Sequence, residues 1–234
     1  MIFLECIIYM KIACIFDWDG TIVDSGRTHE HTWIELAKSH NLKLIPNFFE
    51  ITFGVRNIEI ITEILNWTKD LTIAQQLSDE KESLYRKIIS QQGVPTIAGA
   101  ENLLKSLNDA GILCAVGSST PRKNLDVTVA KLGFGKYFQA YAASEDVVKS
   151  KPAPDVFLKA SERLGVPPEN CIVFEDSFMG LRAGVAAGMK TIAVATTNSM
   201  EALSEASQNP DCRIDIIARD LDMLSVADIV NLIK

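Results

Sequence analysis

Residues 11–25 read KIACIFDWDGTIVDS. Ile12 to Phe16 form an unbroken apolar run without polar alternation, which is the pattern of a strand covered on both faces of a parallel sheet. The run ends abruptly in Asp17 and Asp19, with Trp18 between them and Gly20 and Thr21 following. One Asp after a strand commonly caps the next helix. Two acids in a D-x-D spacing put both carboxylates at a single strand end and ask for a further reason.

Three more runs of the same kind lie further along: GILCAVG ending at Gly117, CIVF ending at Phe174 and MKTIAVAT ending at Thr196. FQAYAAS from Phe138 and IDIIA from Ile214 are weaker candidates. Between them lie amphipathic patterns with readable ends. AENLLKSLNDAG stops at Gly111, TPRKNLDVTVAKLG offers Thr120 as cap and Pro121 in the first turn, and APDVFLKASERLG stops at Gly165. Strand alternating with helix predicts an α/β fold with an open, doubly wound parallel sheet.

Residues 26–95 break this rhythm. THEHTWIELAKSH, NIEIITEILNW and IAQQLSDEKESLYRKIISQQ are helical patterns with no strand between them. Residues 1–25 and 96–234 are therefore expected to form the α/β core, and residues 26–95 an inserted all-helical domain able to close over the sheet's carboxyl edge.

Composition narrows the function. The 234 residues carry a net charge of −7, which speaks against a nucleic-acid partner. The five cysteines are odd in number, form no C-x-x-C pair and sit mostly in apolar runs, as buried thiols of a reducing, cytoplasmic setting do. The apolar start MIFLECIIYM is interrupted by Glu5 and has no basic lead, so neither a signal nor a membrane segment is expected. Met10 is an alternative start, and the NWT at Asn66 to Thr68 is expected to stay unglycosylated.

In a doubly wound sheet, ligands bind where the strands end. Asp17 and Asp19 follow the first run, Ser118, Ser119 and Thr120 the second, and Glu175 and Asp176 the third. Lys151 in KSKPAPD lies between the last two, in a segment that Pro152 and Pro154 are expected to hold extended. Each has an ordinary reading as a cap, turn or solvated charge, yet all point to one sheet edge. Carboxylates gathered there repel one another and call for a hard cation with oxygen ligands, for which Mg²⁺ is the natural choice. Neutralised, they surround a place for a phosphoryl group, where one Asp can act as nucleophile and the other can protonate the leaving oxygen.

DWDGT, VGSST, the KPAPDVF around Lys151, and FEDSFMGLRAGVAAGM resemble, in that order, the four motifs of the haloacid dehalogenase superfamily. The helical block is similar to the cap of its beta-phosphoglucomutase-like branch, including Asp24, Ser25, His29 and Trp33. The resemblance implies Asp17 as phosphoryl acceptor, Asp19 as general acid/base, Ser118 as a donor to a phosphoryl oxygen and Lys151 as the clamp on Asp17 and phosphate. It implies Mg²⁺ held by Asp17, the Asp19 backbone carbonyl and Asp176, with Glu175 bound to it or supporting it. Ser119 matches a position that contributes backbone donors, while Arg56 and Lys81 fall where the branch faces its substrate. For both of these a solvated surface charge is an equal alternative, and His29 reads either as a cap residue facing the site or as a packed histidine.

The function expected is a Mg²⁺-dependent phosphatase of a small sugar or polyol phosphate, acting through an aspartyl phosphate as a monomer or weak dimer. A sugar-phosphate mutase of the same branch is the nearest rival. A signalling receiver domain fits the motif order poorly, and Asp19 disfavours a dehalogenase.

Overall fold

The opening run becomes β1 (Ala13–Phe16) in the computed structural model, which describes residues 11–52 and 54–233. The questions of a start at Met10, of residues 1–9 and of Cys6 fall outside the described residues. β1 sits inside a six-stranded sheet with β2 (Leu113–Gly117), β3 (Ala140–Ala142), β4 (Cys171–Glu175), β5 (Lys190–Val194) and β6 (Ile216–Ala218). The order is β3-β2-β1-β4-β5-β6, and every neighbouring pair is parallel. All six apolar runs, the two weaker ones included, become strands. Phe16 lies beside Val116 on one side and Phe174 on the other, so the residues after all three strands emerge at one carboxyl edge. The chain changes direction of winding between β1 and β4, where doubly wound sheets open a crevice.

Four helices intervene between β1 and β2 before the core helices begin: α1 (Gly26–Ser39), α2 (Phe48–Thr52), α3 (Asn57–Glu59) and α4 (Leu71–Gln92). The NIEIITEILNW pattern, expected as one helix, is instead a single α turn running into a π-helical turn at Ile60–Ile64, closed by Leu65 N–H donating to Ile60 O at 2.7 Å. Widening the turn lets the adjacent Ile60 and Ile61 both enter the block's apolar cluster with Trp33, Leu36 and Phe48. α2 has only five residues, too few for periodicity to reveal. α4 is capped by Asp70, whose Oδ1 accepts from Thr72 N and Ile73 N at 2.8 and 3.2 Å. Its second half leaves the block's cluster, and Tyr85 and Ile89 pack into the layer beneath the sheet. The chain enters and leaves the block side by side, with Asp24 N–H donating to Pro95 O and Ile97 N–H to Ile22 O, each at 2.9 Å.

The core helices that frame the site are α5 (Ala100–Asp109), α6 (Arg122–Leu132), α7 (Asp155–Leu164) and α8 (Phe178–Ala186). Cys14 and Phe16 face a layer containing Leu103 and Leu104 of α5 and Leu125 of α6. Ala13 and Ile15 face the opposite layer, with Val156 and Phe157 of α7 and Ala183 of α8. Burial on both faces explains why the strands read as continuous apolar runs. Trp18, just past the end of β1, is fully buried and meets Phe138 edge to face at 5.9 Å.

Candidate active site

Asp17, at the end of β1, accepts a hydrogen bond from Lys151 Nζ at 2.6 Å, and the same ammonium donates to Glu175 Oε1 at 2.6 Å. Glu175 ends β4, and its other oxygen accepts from the Asp176 and Ser177 backbone amides at 2.9 and 2.8 Å and from Ser177 Oγ at 2.9 Å. Asp176 accepts from the hydroxyls of Thr197 and, at 3.4 Å, Thr21. Ligand oxygens of Asp17, Glu175 and Asp176 lie within 4.8 Å of one another, and all three residues are buried. Burial, only partly offset by Lys151 and reinforced by Glu175, raises the Asp17 carboxyl to about 7. Burial, with Glu175 and Asp17 close by, also raises Asp176 well above the usual range. Lys151 is held protonated by Asp17 and Glu175 against the opposing pull of burial.

Two glycines make room for these acids. A Cβ on Gly20 would lie 2.1 Å from Asp176 Oδ2, at a positive φ of +87°, and a Cβ on Gly180 would lie 1.7 Å from Glu175 Oε1. Gly184 lets α8 approach the sheet closely, since a Cβ there would meet Thr191 and Val173. Gly180 accommodates a carboxylate instead, and Gly188 has open space around it and a φ of +75° in the turn after α8.

Asp19 turns its carboxylate away from this cluster. Oδ1 accepts from Ser25 Oγ at 2.5 Å and lies 3.5 Å from His29 Nε2, while Oδ2 accepts from the Thr120 hydroxyl. Burial works upward on Asp19, but hydrogen bonds from His29, Ser25 and Thr120 outweigh it and take the carboxyl down to about 2. His29 both faces the site and packs, stacking on Tyr85 at 4.2 Å between ring centres. Its Nδ1 lies 2.9 Å from Lys81 Nζ. An ammonium cannot accept, so Nδ1 accepts and the Nε2 proton points at Asp19. His31, two residues on, is exposed.

Lys81 is not a solvated surface charge. It is buried, donates to Glu82 Oε1 at 2.8 Å and lies 5.4 Å from the centre of the Trp33 ring. Glu82 in turn accepts from Asn57 Nδ2 at 2.7 Å and from the Asn124 side chain of α6, which ties the helical block to the core. Burial raises the Glu82 carboxyl, but the Lys81 charge and the hydrogen bonds from Lys81 and Asn57 outweigh it and hold it below its usual range. Arg56 donates through Nη1 to Val148 O at 3.3 Å, and its buried Nε has no hydrogen-bond partner among the described residues.

A cavity of about 650 Å³ lies between the helical block and the sheet edge. It is lined by all ten residues singled out from sequence: Asp17, Asp19, His29, Arg56, Lys81, Ser118, Ser119, Lys151, Glu175 and Asp176. Ser118 is buried, with its amide donating to Ala142 O at 3.0 Å, and Ser119 is half-buried. Two local expectations are corrected. α6 starts at Arg122 with Pro121 at its N-cap, so Thr120 caps nothing and is free for Asp19. The Lys151 segment is not extended, because it turns at residues 151–153 and Pro154 has helical angles (φ −75°, ψ −4°), which brings Lys151 back over Asp17. Thr120 stands in the expected strand-end group but was given only a cap role, and Glu82 and Asn124 were missed as site residues. Their contacts join parts of the chain 101 and 42 residues apart, and no local spacing signals them.

A sheet of this topology with an acid and lysine cluster at its switch point is a doubly wound α/β fold with a reactive site in its crevice. A family model described as haloacid dehalogenase-like hydrolase matches residues 13–188, and the chain belongs to that family. The chain is 30% identical to the chloroplastic 5-amino-6-(5-phospho-D-ribitylamino)uracil phosphatase of Arabidopsis thaliana over 94% of its own length, but spans only 57% of that protein. It is 32% identical to the fructose-1-phosphate phosphatase YqaB of Escherichia coli, with 77% of this chain and 94% of that one covered. Among solved structures, a family IA, variant 3 HAD hydrolase from Entamoeba histolytica superposes with a TM-score of 0.82 at 30% identity, covering 96% of this chain and 99% of that one. No helix among the described residues is long and apolar enough to cross a membrane.

Proposed function

We propose that this protein is a Mg²⁺-dependent phosphatase of small sugar or polyol phosphates that works through a phosphorylated Asp17. The observation that carries this reading is the buried cluster at the cavity floor. Asp17, Glu175 and Asp176 have one nearby cation, Lys151, which pairs with Asp17 and Glu175, so ionising all three acids would leave two negative charges unbalanced in a buried place. A divalent ion with oxygen ligands fits that surplus and that donor set, and a binding hollow without one would gain nothing from it. Asp17 and Asp176 would hold the ion with the Asp19 backbone carbonyl, and Glu175, already engaged by Lys151 and by the amides of residues 176 and 177, would support it. When bound, Mg²⁺ supplies charge neutralisation and polarisation of the phosphoryl oxygens.

The chain's own residues supply the remainder. Lys151 fixes the Asp17 carboxylate for attack on phosphorus and offers positive charge to the transferring oxygens, and Ser118 Oγ with the Ser119 amide offers hydrogen bonds to them. Asp19, a carboxylate in the free protein, takes up a proton as the dianionic substrate enters, gives it to the leaving oxygen as the ester bond breaks, then takes one from the water that attacks the acyl phosphate. Residues 26–95 act as a cap over the cavity, with Lys81, Arg56 and His29 lining its substrate side. Relatives named as phosphatases of phosphorylated carbon chains support the substrate class. The free, buried Cys14, Cys114, Cys171 and Cys212 support a reducing compartment such as the cytoplasm.

The test is a panel of phosphorylated metabolites with Mg²⁺, including fructose 1-phosphate and beta-glucose 1-phosphate, monitored for both inorganic phosphate and isomerised sugar phosphate. Mg²⁺-dependent phosphate release is the expected result. Glucose 6-phosphate formed without free phosphate would replace the phosphatase with a mutase.

A further inference from the structure

Thr120 stands before Pro121 as a helix cap would, yet its hydroxyl caps no helix. That hydroxyl donates to Asp19 Oδ2, and its backbone amide donates to Ser118 Oγ at 3.1 Å. One residue after β2 thus joins the donor to the phosphoryl group and the acid that serves the leaving oxygen. The opposite oxygen of Asp19 is held differently. Ser25, the N-cap of α1, and His29 within α1 both approach Oδ1 from the side of the helical block. The Thr120 contact passes only between loops of the sheet edge, so it does not depend on where the block stands.

Resting on the phosphatase reading, we propose that Thr120 is a positioning residue for proton transfer, holding Oδ2 of Asp19 in line with the leaving-group oxygen. In that step an Asp17 oxygen forms the bond to phosphorus while the bond from phosphorus to the leaving oxygen breaks. The Asp19 carboxyl passes its proton to that oxygen and becomes a carboxylate. The charge it gains falls on an oxygen that already receives the Thr120 hydrogen bond, so the contact strengthens as the transition state forms. Thr120 itself transfers no proton, and the attacking water later returns one to Asp19. A purely structural threonine would give no dependence on the leaving group.

The experiment compares kcat/KM, which reports events up to the first irreversible transfer, for two kinds of ester in Mg²⁺. One is the alkyl phosphate of the metabolite panel that the wild type cleaves fastest. The other is p-nitrophenyl phosphate, whose phenolate leaves without protonation. Thr120→Val should lower kcat/KM on the alkyl phosphate by about 10- to 100-fold, part of the usual general-acid contribution, while the aryl phosphate changes less than about 3-fold. Thr120→Ser should restore the alkyl rate to within about 3-fold of wild type. If the valine variant does not give a wild-type thermal melt, Thr120→Ala carries the same comparison. An equal loss on both esters, no loss on either, or failure of Thr120→Ser to rescue overturns the proposal while leaving the phosphatase reading intact. A wild type inert towards every alkyl phosphate defeats that reading, and the proposal with it.

Discussion

Replacing Asp17 with Asn should make the metal-free protein more stable while abolishing turnover. Asp17 is buried at the cavity floor, and its carboxyl is raised from 3.8 to about 7, chiefly by burial, against the help of Lys151. At about 1.4 kcal/mol per pKa unit, keeping that carboxylate ionised in the folded chain costs about 4 kcal/mol. The pH dependence has a definite sign. Between roughly pH 4 and 7 the folded state holds a proton that the unfolded chain has released, so stability falls as pH rises through this window and the penalty is complete above it. Asn carries no charge and keeps the shape, while Lys151 retains Glu175 at 2.6 Å. In urea titrations with EDTA, Asp17→Asn should therefore exceed wild type by about 2–4 kcal/mol at pH 8, a gap that narrows towards pH 5 and again when Mg²⁺ is added. A variant less stable than wild type at pH 8, or a gap that ignores both pH and Mg²⁺, would refute the charge argument.

Two further substitutions probe the same floor. Lys151→Met leaves Asp17 and Glu175 buried without their shared cation, and should cost about 3–5 kcal/mol in EDTA by urea denaturation and lower phosphate release at least about 100-fold. Gly180→Ala puts a methyl group 1.7 Å from Glu175 Oε1, so it should displace that carboxylate, lower the thermal melting temperature and reduce the stabilisation that Mg²⁺ gives wild type. The melting curves with and without Mg²⁺ check both effects together.

The fold was legible because its strands are buried on both faces. Ala13–Phe16, Leu113–Gly117 and Cys171–Glu175 read as apolar runs, and the polar residues at their carboxyl ends carry the chemistry. Register alone then brings Asp17, Ser118 and Glu175 to one edge. The less legible parts depend on tertiary partners. Thr120 has the local grammar of a cap, but Asp19, 101 residues earlier, takes its hydroxyl. Lys81 carries the charge of an ordinary solvated residue although it shares the helical spacing of Leu77 and Tyr85, and Trp33, His29 and Glu82 enclose it where α1 docks on α4. The π-turn at Ile60–Ile64 arises from the demand that two adjacent isoleucines be buried together, which a 3.6-residue period cannot express.

The central claim is that Asp17 accepts the phosphoryl group. It is tested most directly by mixing the protein with a cleaved substrate and Mg²⁺, quenching in acid during turnover, and mapping phosphate by peptide mass spectrometry, with Asp17→Asn in parallel. The account predicts phosphate on the peptide containing Asp17 in the wild type, and neither phosphopeptide nor phosphate release in the variant. Sustained phosphate release by Asp17→Asn would contradict it.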